Sequence, residues 1–205
     1  GMMMAILMNQ AFPLKNLVRA ALLLPWIVPT ALSTLSWLWI FDPTYSVINW
    51  AIVKLGIGGK INWLGDPHLA MLSIILVNVW RGVPFIAITL LAGLQMMSRE
   101  HHEAASIDGA NAFQGFLHIT LPLLRPVITP VIMLTLIWTI SDFQLVYILT
   151  RGGPVNSTHL LGTLAYQQAL ASAQLGEGAA ISLSMFPLLL VIIIAILRKD
   201  KGEDA

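Results

Sequence analysis

Arg81 and Asp142 each stand inside an otherwise apolar run, Ala70–Leu94 and Val127–Leu149. An ionisable group near the centre of a bilayer costs at least about 2.5–3.5 kcal/mol on insertion scales, so each needs a partner or water. Arg81 has two readings: a donor to solute hydroxyls on a path through the membrane, or a group bonded to helix carbonyls or a neighbouring helix. Gly82 and Pro84 beside it suggest a kink, and Asn78, one turn earlier, is able to face the same way. Trp138, Ser141 and Asp142 are spaced three and four apart, which places them on one helical face. With Gln144 and Tyr147 they offer an aromatic surface beside several hydrogen-bonding groups. The bland reading is an interfacial aromatic belt where a loop begins, and it is preferred for Tyr147. His101-His102-Glu103 lacks metal-site spacing, because adjacent histidines do not share a helix face and no His-Glu-x-x-His occurs. No Walker A glycine loop and no nucleophile–base constellation is present.

Four apolar runs would position these side chains. The 205 residues are 57% hydrophobic and 10% charged, with mean hydropathy +0.80. A soluble domain carries about 25% charged residues, so the bilayer is the expected solvent. A net charge of +1 without a basic run gives no reason to invoke nucleic acid, and the absence of cysteine excludes disulfides and thiolate metal sites. Complete spans are expected at Ala20–Phe41, Ala70–Leu94, Val127–Leu149 and Ala179–Leu197, each near the roughly 20 residues a transmembrane helix requires. Met2–Phe12 is too short to cross and has no basic segment before it or cleavage site after it, unlike a secretory signal. It reads as the tail of a helix that begins upstream, or as a short interfacial helix.

Basic residues orient the chain. Lys15, Arg19, Arg99, Arg125, Arg198, Lys199 and Lys201 fall on one side; Lys54, Lys60 and Arg151 fall on the other. The excess marks the first side, with both termini and the 95–121 loop, as cytoplasmic. The outer loops carry Gly65-Asp66-Pro67 and Gly152-Gly153-Pro154 turns, and Trp37, Trp39, Trp50 and Trp63 lie where an outer aromatic belt would. In the cytoplasmic loop Ser98 is a candidate helix cap, with Glu100 and Glu103 at the favourable end of the helix dipole. Asp108-Gly109 offers a stop, and Phe113, Phe116, Leu117 and Leu121 then recur at helical spacing. A small-faced helix of this kind, entered and left by spans, is a handle through which a partner moves both.

Glu103-Ala104-Ala105, three residues, Gly109, nine residues, then Ile119-Thr120-Leu121-Pro122 resembles the EAA signature of ATP-binding-cassette importer permeases, with every fixed position matched. Asp108 and Ala110 match the Asp-Gly-Ala form of the carbohydrate branch. Asn9-Gln10-Ala11-Phe12 with Arg19 and Leu24-Pro25, the run Leu91–Gln95, Asp142-Phe143, and Leu149–Pro154 with Asn156-Ser157-Thr158 extend the resemblance to the maltose-type subunit over most of the chain. Arg151 stands where that family commonly has glycine, and Asp142 and Gln144 where it often has Asn or Asp; these departures bear on the solute.

The resemblance implies an all-α polytopic bundle of the type I importer permease fold, with about four full spans plus a partial N-terminal helix. Maltose-type permeases have at least six, so an N-terminally truncated chain is expected. It implies a single non-catalytic transmembrane domain over 1–205, with ATPase coupling through Glu103, Ala104, Ala105, Asp108, Gly109, Ile119, Leu121 and Pro122. The implied partners are a second homologous permease, an ATPase dimer carrying ATP and Mg, and an extracytoplasmic solute-binding protein. Asn78, Arg81, Trp138, Ser141, Asp142 and Gln144 become candidates for a sugar path. A self-contained secondary transporter or channel is the alternative, and an intramembrane enzyme a weaker one.

Overall fold

The computed structural model describes residues 1–10, 13–98, 100, 105, 107 and 109–203. Its regular elements are helical: α1 (Met2–Asn9), α2 (Lys15–Ile27), α3 (Thr30–Ile40), α4 (Val47–Lys54), α5 (Pro67–Met96), α6 (Ala112–Ile140), α7 (Phe143–Leu149), α8 (Leu161–Tyr166) and α9 (Leu175–Glu203). Three stretches are long and apolar enough to cross a membrane: Pro67–Met96, Ala112–Ile140 and Leu175–Arg198. The α2–α3 pair passes the same test only as a bent unit.

Two expected spans are corrected. Ala20–Phe41 is not one helix, because it breaks at Val28-Pro29. Proline has no N–H to donate and disfavours helical backbone in the residue before it, so α2 stops and α3 restarts. Val127–Leu149 is not one helix either. The span starts earlier, at Ala112, and ends at Ile140. Asp142 then leaves helical conformation, and its Oδ1 accepts the Leu145 N–H at 3.2 Å to cap α7. A capping carboxylate offers the backbone a better partner than helix continuation does. Trp138, Ser141 and Asp142 therefore do not share one helix.

The other two runs behave as read. At the start of α5, Asp66 Oδ1 accepts from the N–H groups of His68 and Leu69, at 2.9 and 3.0 Å, and Pro67 takes the first helical position. The helix continues through Pro84 without ending. Its 30 residues give about 45 Å of length, more than the roughly 30 Å hydrocarbon core. Near the start of α6 lies a π-helical turn at Phe116–Thr120, where Thr120 Oγ1 donates to the Gly115 carbonyl at 3.4 Å.

The chain divides into two compact units. One comprises Gly1–Trp26, Gly82–Thr135 and Ile196–Ala205, and packs Ala5, Met8, Ala87, Leu90 and Leu91 as its core. Arg19 Nη2 donates to the Met8 carbonyl at 2.9 Å, which places a cation at the last turn of α1. Here Gly93 lets α5 approach α6: a Cβ at this position would lie 2.7 Å from a Leu124 methyl and 3.2 Å from a Val127 methyl. Leu124 is fully buried and has little room to yield. Gly93→Val is therefore expected to cost about 1–3 kcal/mol, read as a lowered thermal midpoint of the detergent-solubilised protein. An unchanged midpoint would show that the crossing is loose.

The second unit comprises Ile27–Arg81 and Leu136–Ala195, with a core of Phe41, Ile74, Val77, Leu145, Val146 and Leu149. Its tryptophans divide. Trp37 packs 5.4 Å from Phe41 and 5.4 Å from Trp80, and Trp63 donates Nε1–H to Asn49 Oδ1 at 3.1 Å. Trp39 and Trp50 point outward, 75% and 61% exposed, as a belt would. The Gly152-Gly153-Pro154 turn is closed by hydroxyls: Thr150 and Thr158 bond at 2.7 Å, and Thr158 donates to the Gly153 carbonyl at 2.7 Å.

Candidate functional site

The EAA-like stretch follows α5. Glu103, Ala104 and Asp108 lie outside the described residues. Ser98 Oγ accepts the Glu100 N–H at 3.3 Å, as its candidate role as a cap requires. The Ala110 N–H donates to the Ala105 carbonyl at 2.9 Å, and between them Gly109 takes φ +82°. Nothing lies within 4 Å of where its Cβ would be. The requirement for glycine is thus one of backbone conformation, not space. Asn111 and Gln114 then form a reciprocal capping box, with both bonds at 2.9 Å, that starts α6. Ile119, Leu121 and Pro122 fall in and just after the π turn, so the second half of the motif is the entrance to a span. Ile107 and Phe113, 86% and 71% exposed, display apolar side chains there. A cavity of about 940 Å³ opens between the end of α1, the end of α5, Ala105 and residues 110–120.

The intramembrane candidates are partly brought together. Arg81, at the middle of α5, forms an ion pair with Asp142 through Nη2 and Oδ2. The two side chains are 19% and 9% exposed. Three residues before each, Asn78 Nδ2–H donates to Thr139 Oγ1 at 3.2 Å. Two polar links thus fasten α5 to the α6–α7 break. Asp142 uses both oxygens, one for Arg81 and one for the α7 cap. Arg81 Nη1 is buried and has no hydrogen-bond partner. Trp138 is 45% exposed near the end of α6, and Ser141 and Gln144 are exposed. Ser141 and Gln144 make no side-chain hydrogen bond to Arg81 or Asp142.

Known proteins resemble this chain along most of its length. Residues 1–199 match the family described as binding-protein-dependent transport system inner membrane component. This chain belongs to that family. The trehalose/maltose transport system permease protein of Thermococcus litoralis is 37% identical over 97% of this chain and 66% of its own length. The sulfoquinovosyl glycerol transport system permease protein of Agrobacterium fabrum is 35% identical over 100% and 66%. The diacetylchitobiose uptake system permease protein of Streptomyces coelicolor is 32% identical over 86% and 55%. The permease chain thus spans about two thirds or less of the length of these curated relatives. Its fold matches a solved bacterial ABC transporter involved in import of the acidic polysaccharide alginate, with TM-score 0.86 at 20% identity over 98% of this chain and 71% of that one. The all-α, multi-pass importer-permease architecture expected from the motif is the one observed.

Sequence reasoning missed two features of this permease. Thr139, the partner of Asn78, is one more hydroxyl in an apolar helix and carries no spacing signal. The second is an aromatic cluster from two short helices. Phe143 and Tyr147 stack at 5.0 Å, Tyr166 lies 5.2 and 5.1 Å from them, and the Arg151 guanidinium sits 5.9 Å from the Tyr147 ring. The hydrogen bond with Tyr147 holds the Tyr166 phenol above its ordinary pKa. Phe143 and Tyr147 are four apart, a usable helical pair, but Tyr166 lies 19 residues further on.

Proposed function

We propose that this chain is a membrane-spanning subunit of an ATP-driven importer, forms half of the path for a sugar or sugar-like solute, and is driven through the Glu103–Pro122 loop by a separate ATPase. The observation that carries this reading is the EAA-like motif itself: its second half opens α6, and its first half follows α5. A push on the loop is thereby delivered to two continuous spans. The chain supplies path and lever, while ATP and Mg belong to the ATPase dimer. The remaining partners are a second homologous permease and an extracytoplasmic solute-binding protein. The charge asymmetry supports placing both termini and the loop in the cytoplasm. Alternation between two states with different contacts is what ATP closure has to bias. Relatives named for trehalose/maltose, sulfoquinovosyl glycerol and diacetylchitobiose support a carbohydrate or glycoside. Arg81 is charge-compensated by Asp142, which disfavours a secondary transporter built on these two groups as a free ion relay.

The permease, tagged and purified in mild detergent from cells expressing its operon, is expected to bring an ATP-binding-cassette ATPase with it. Recovery of a pure homo-oligomer that takes up solute unaided would overturn the reading.

A further inference from the structure

Helix α4, between α3 and α5, has an outward face of the wrong chemistry for water. Asn49 and Ser46 are buried on its inner side, with Ile48 packed against the core of its unit. On the opposite side Val47, Trp50 and Val53 are 66%, 61% and 50% exposed, and the turn that follows adds Leu55 and Ile57 at 72% and 74%. Water does not favour such a contiguous apolar patch, whereas the boundary between lipid headgroups and acyl chains does. The chain also keeps α4 near that boundary. Six residues separate Val47 from the end of α3, seven Cα–Cα steps with a reach of at most about 25 Å.

The polar rim of this face is basic. Lys54 Nζ lies 4.5 Å from the centre of the Trp50 ring. Lys60 is brought alongside because Asn49 clasps the returning chain: its Nδ2 donates to the Ile61 carbonyl at 2.9 Å, and its Oδ1 accepts the Ile61 N–H at 3.2 Å. The two lysines, Thr44, Asn49 and Trp50 line a cleft of about 270 Å³. The acids in this segment, Asp42 and Asp66, use their carboxylates to accept backbone N–H groups, and neither pairs with Lys54 or Lys60. Two uncompensated ammonium groups over an apolar, tryptophan-bearing face complement an anionic phospholipid.

We propose that α4 and the turn after it form an interfacial anchor, with the Val47–Trp50–Val53 face in the headgroup–acyl boundary and the Lys54–Lys60 cleft holding a lipid phosphate. This rests on the membrane reading alone and not on the solute or the ATPase.

The absence of cysteine makes the test direct. The intact chain carrying Val53→Cys, or Ser157→Cys as a control in the exposed 155–157 segment, is labelled with bimane in vesicles of phosphatidylcholine with or without phosphatidylglycerol. The label at position 53 is expected to be quenched by lipid-borne spin label and protected from aqueous iodide, and the label at position 157 to show the reverse. Lys54→Gln with Lys60→Gln removes both charges and keeps a polar, flexible side chain one atom shorter than lysine. The double variant is expected to lower the preference for phosphatidylglycerol over phosphatidylcholine about 30-fold, since each lysine near an anionic surface contributes about fivefold. Equal iodide access at the two positions overturns the anchor, and an unchanged lipid preference in the double variant overturns the phosphate cleft. Protection of position 53 that appears only on adding a solute-binding protein assigns the face to that partner and also overturns the proposal.

Discussion

Asp142→Asn is expected to lower the stability of the folded chain by about 3–5 kcal/mol, the usual cost of leaving one member of a buried ion pair uncompensated. The Arg81 guanidinium sits mid-helix, 19% exposed, with one terminal nitrogen already without a partner. Removing the carboxylate charge leaves a cation in an apolar span, where insertion is costly. The companion variant separates charge burial from the worth of the pair. Arg81→Met combined with Asp142→Leu removes both charges and is expected to recover most of the loss, because an apolar replacement of a buried pair is often neutral. Asp142 also caps α7, so a residue of about 1 kcal/mol should remain unrecovered. Thermal unfolding of the wild-type chain, Asp142→Asn and the double variant gives the answer. A single substitution no worse than the double one would mean that water, not Asp142, satisfies Arg81. Loss of transport in a stable double variant would place the pair on the path.

Glu103→Lys should uncouple the permease from its ATPase while leaving it folded. In the proposed coupling Glu103 is the central acid of the surface that meets the ATPase, and it is expected to act as an interface hot spot. Reversing it is expected to remove at least about 2 kcal/mol of docking energy, roughly 30-fold in affinity. Thermal stability is expected not to move, since the proposed role sets Glu103 against the ATPase and not in the core. The measurement is ATPase retention on immobilised permease beside an unfolding curve of the same sample. Full retention at wild-type affinity would remove Glu103 from the coupling role. The left-handed backbone at Gly109 fixes where the chain turns towards α6.

The two sites were unequally legible. The EAA-like motif could be read because seven residues recur at fixed spacing; the φ of Gly109 supplies the physical reason for one of them. The Arg81–Asp142 pair was within reach, since two opposite charges alone in apolar runs have every reason to meet. The expected one-face set of Trp138, Ser141 and Asp142 failed because hydropathy does not register a capping side chain: Asp142 ends the helix that periodicity extends through it. For the same reason the first apolar run was misread, since window averages ignore the missing N–H of Pro29. Apolar length marks where a chain prefers lipid, and backbone hydrogen bonding decides where each helix stops.

ATP dependence of uptake tests the central claim most directly. The full-length permease, reconstituted with its partner permease, ATPase and solute-binding protein, is given a panel of radiolabelled neutral disaccharides. Accumulation is predicted only when ATP is supplied on the side that carries the Glu103 loop, and it should persist when ionophores collapse every ion gradient. Uptake that proceeds without ATP and stops when the gradients are collapsed would contradict the account.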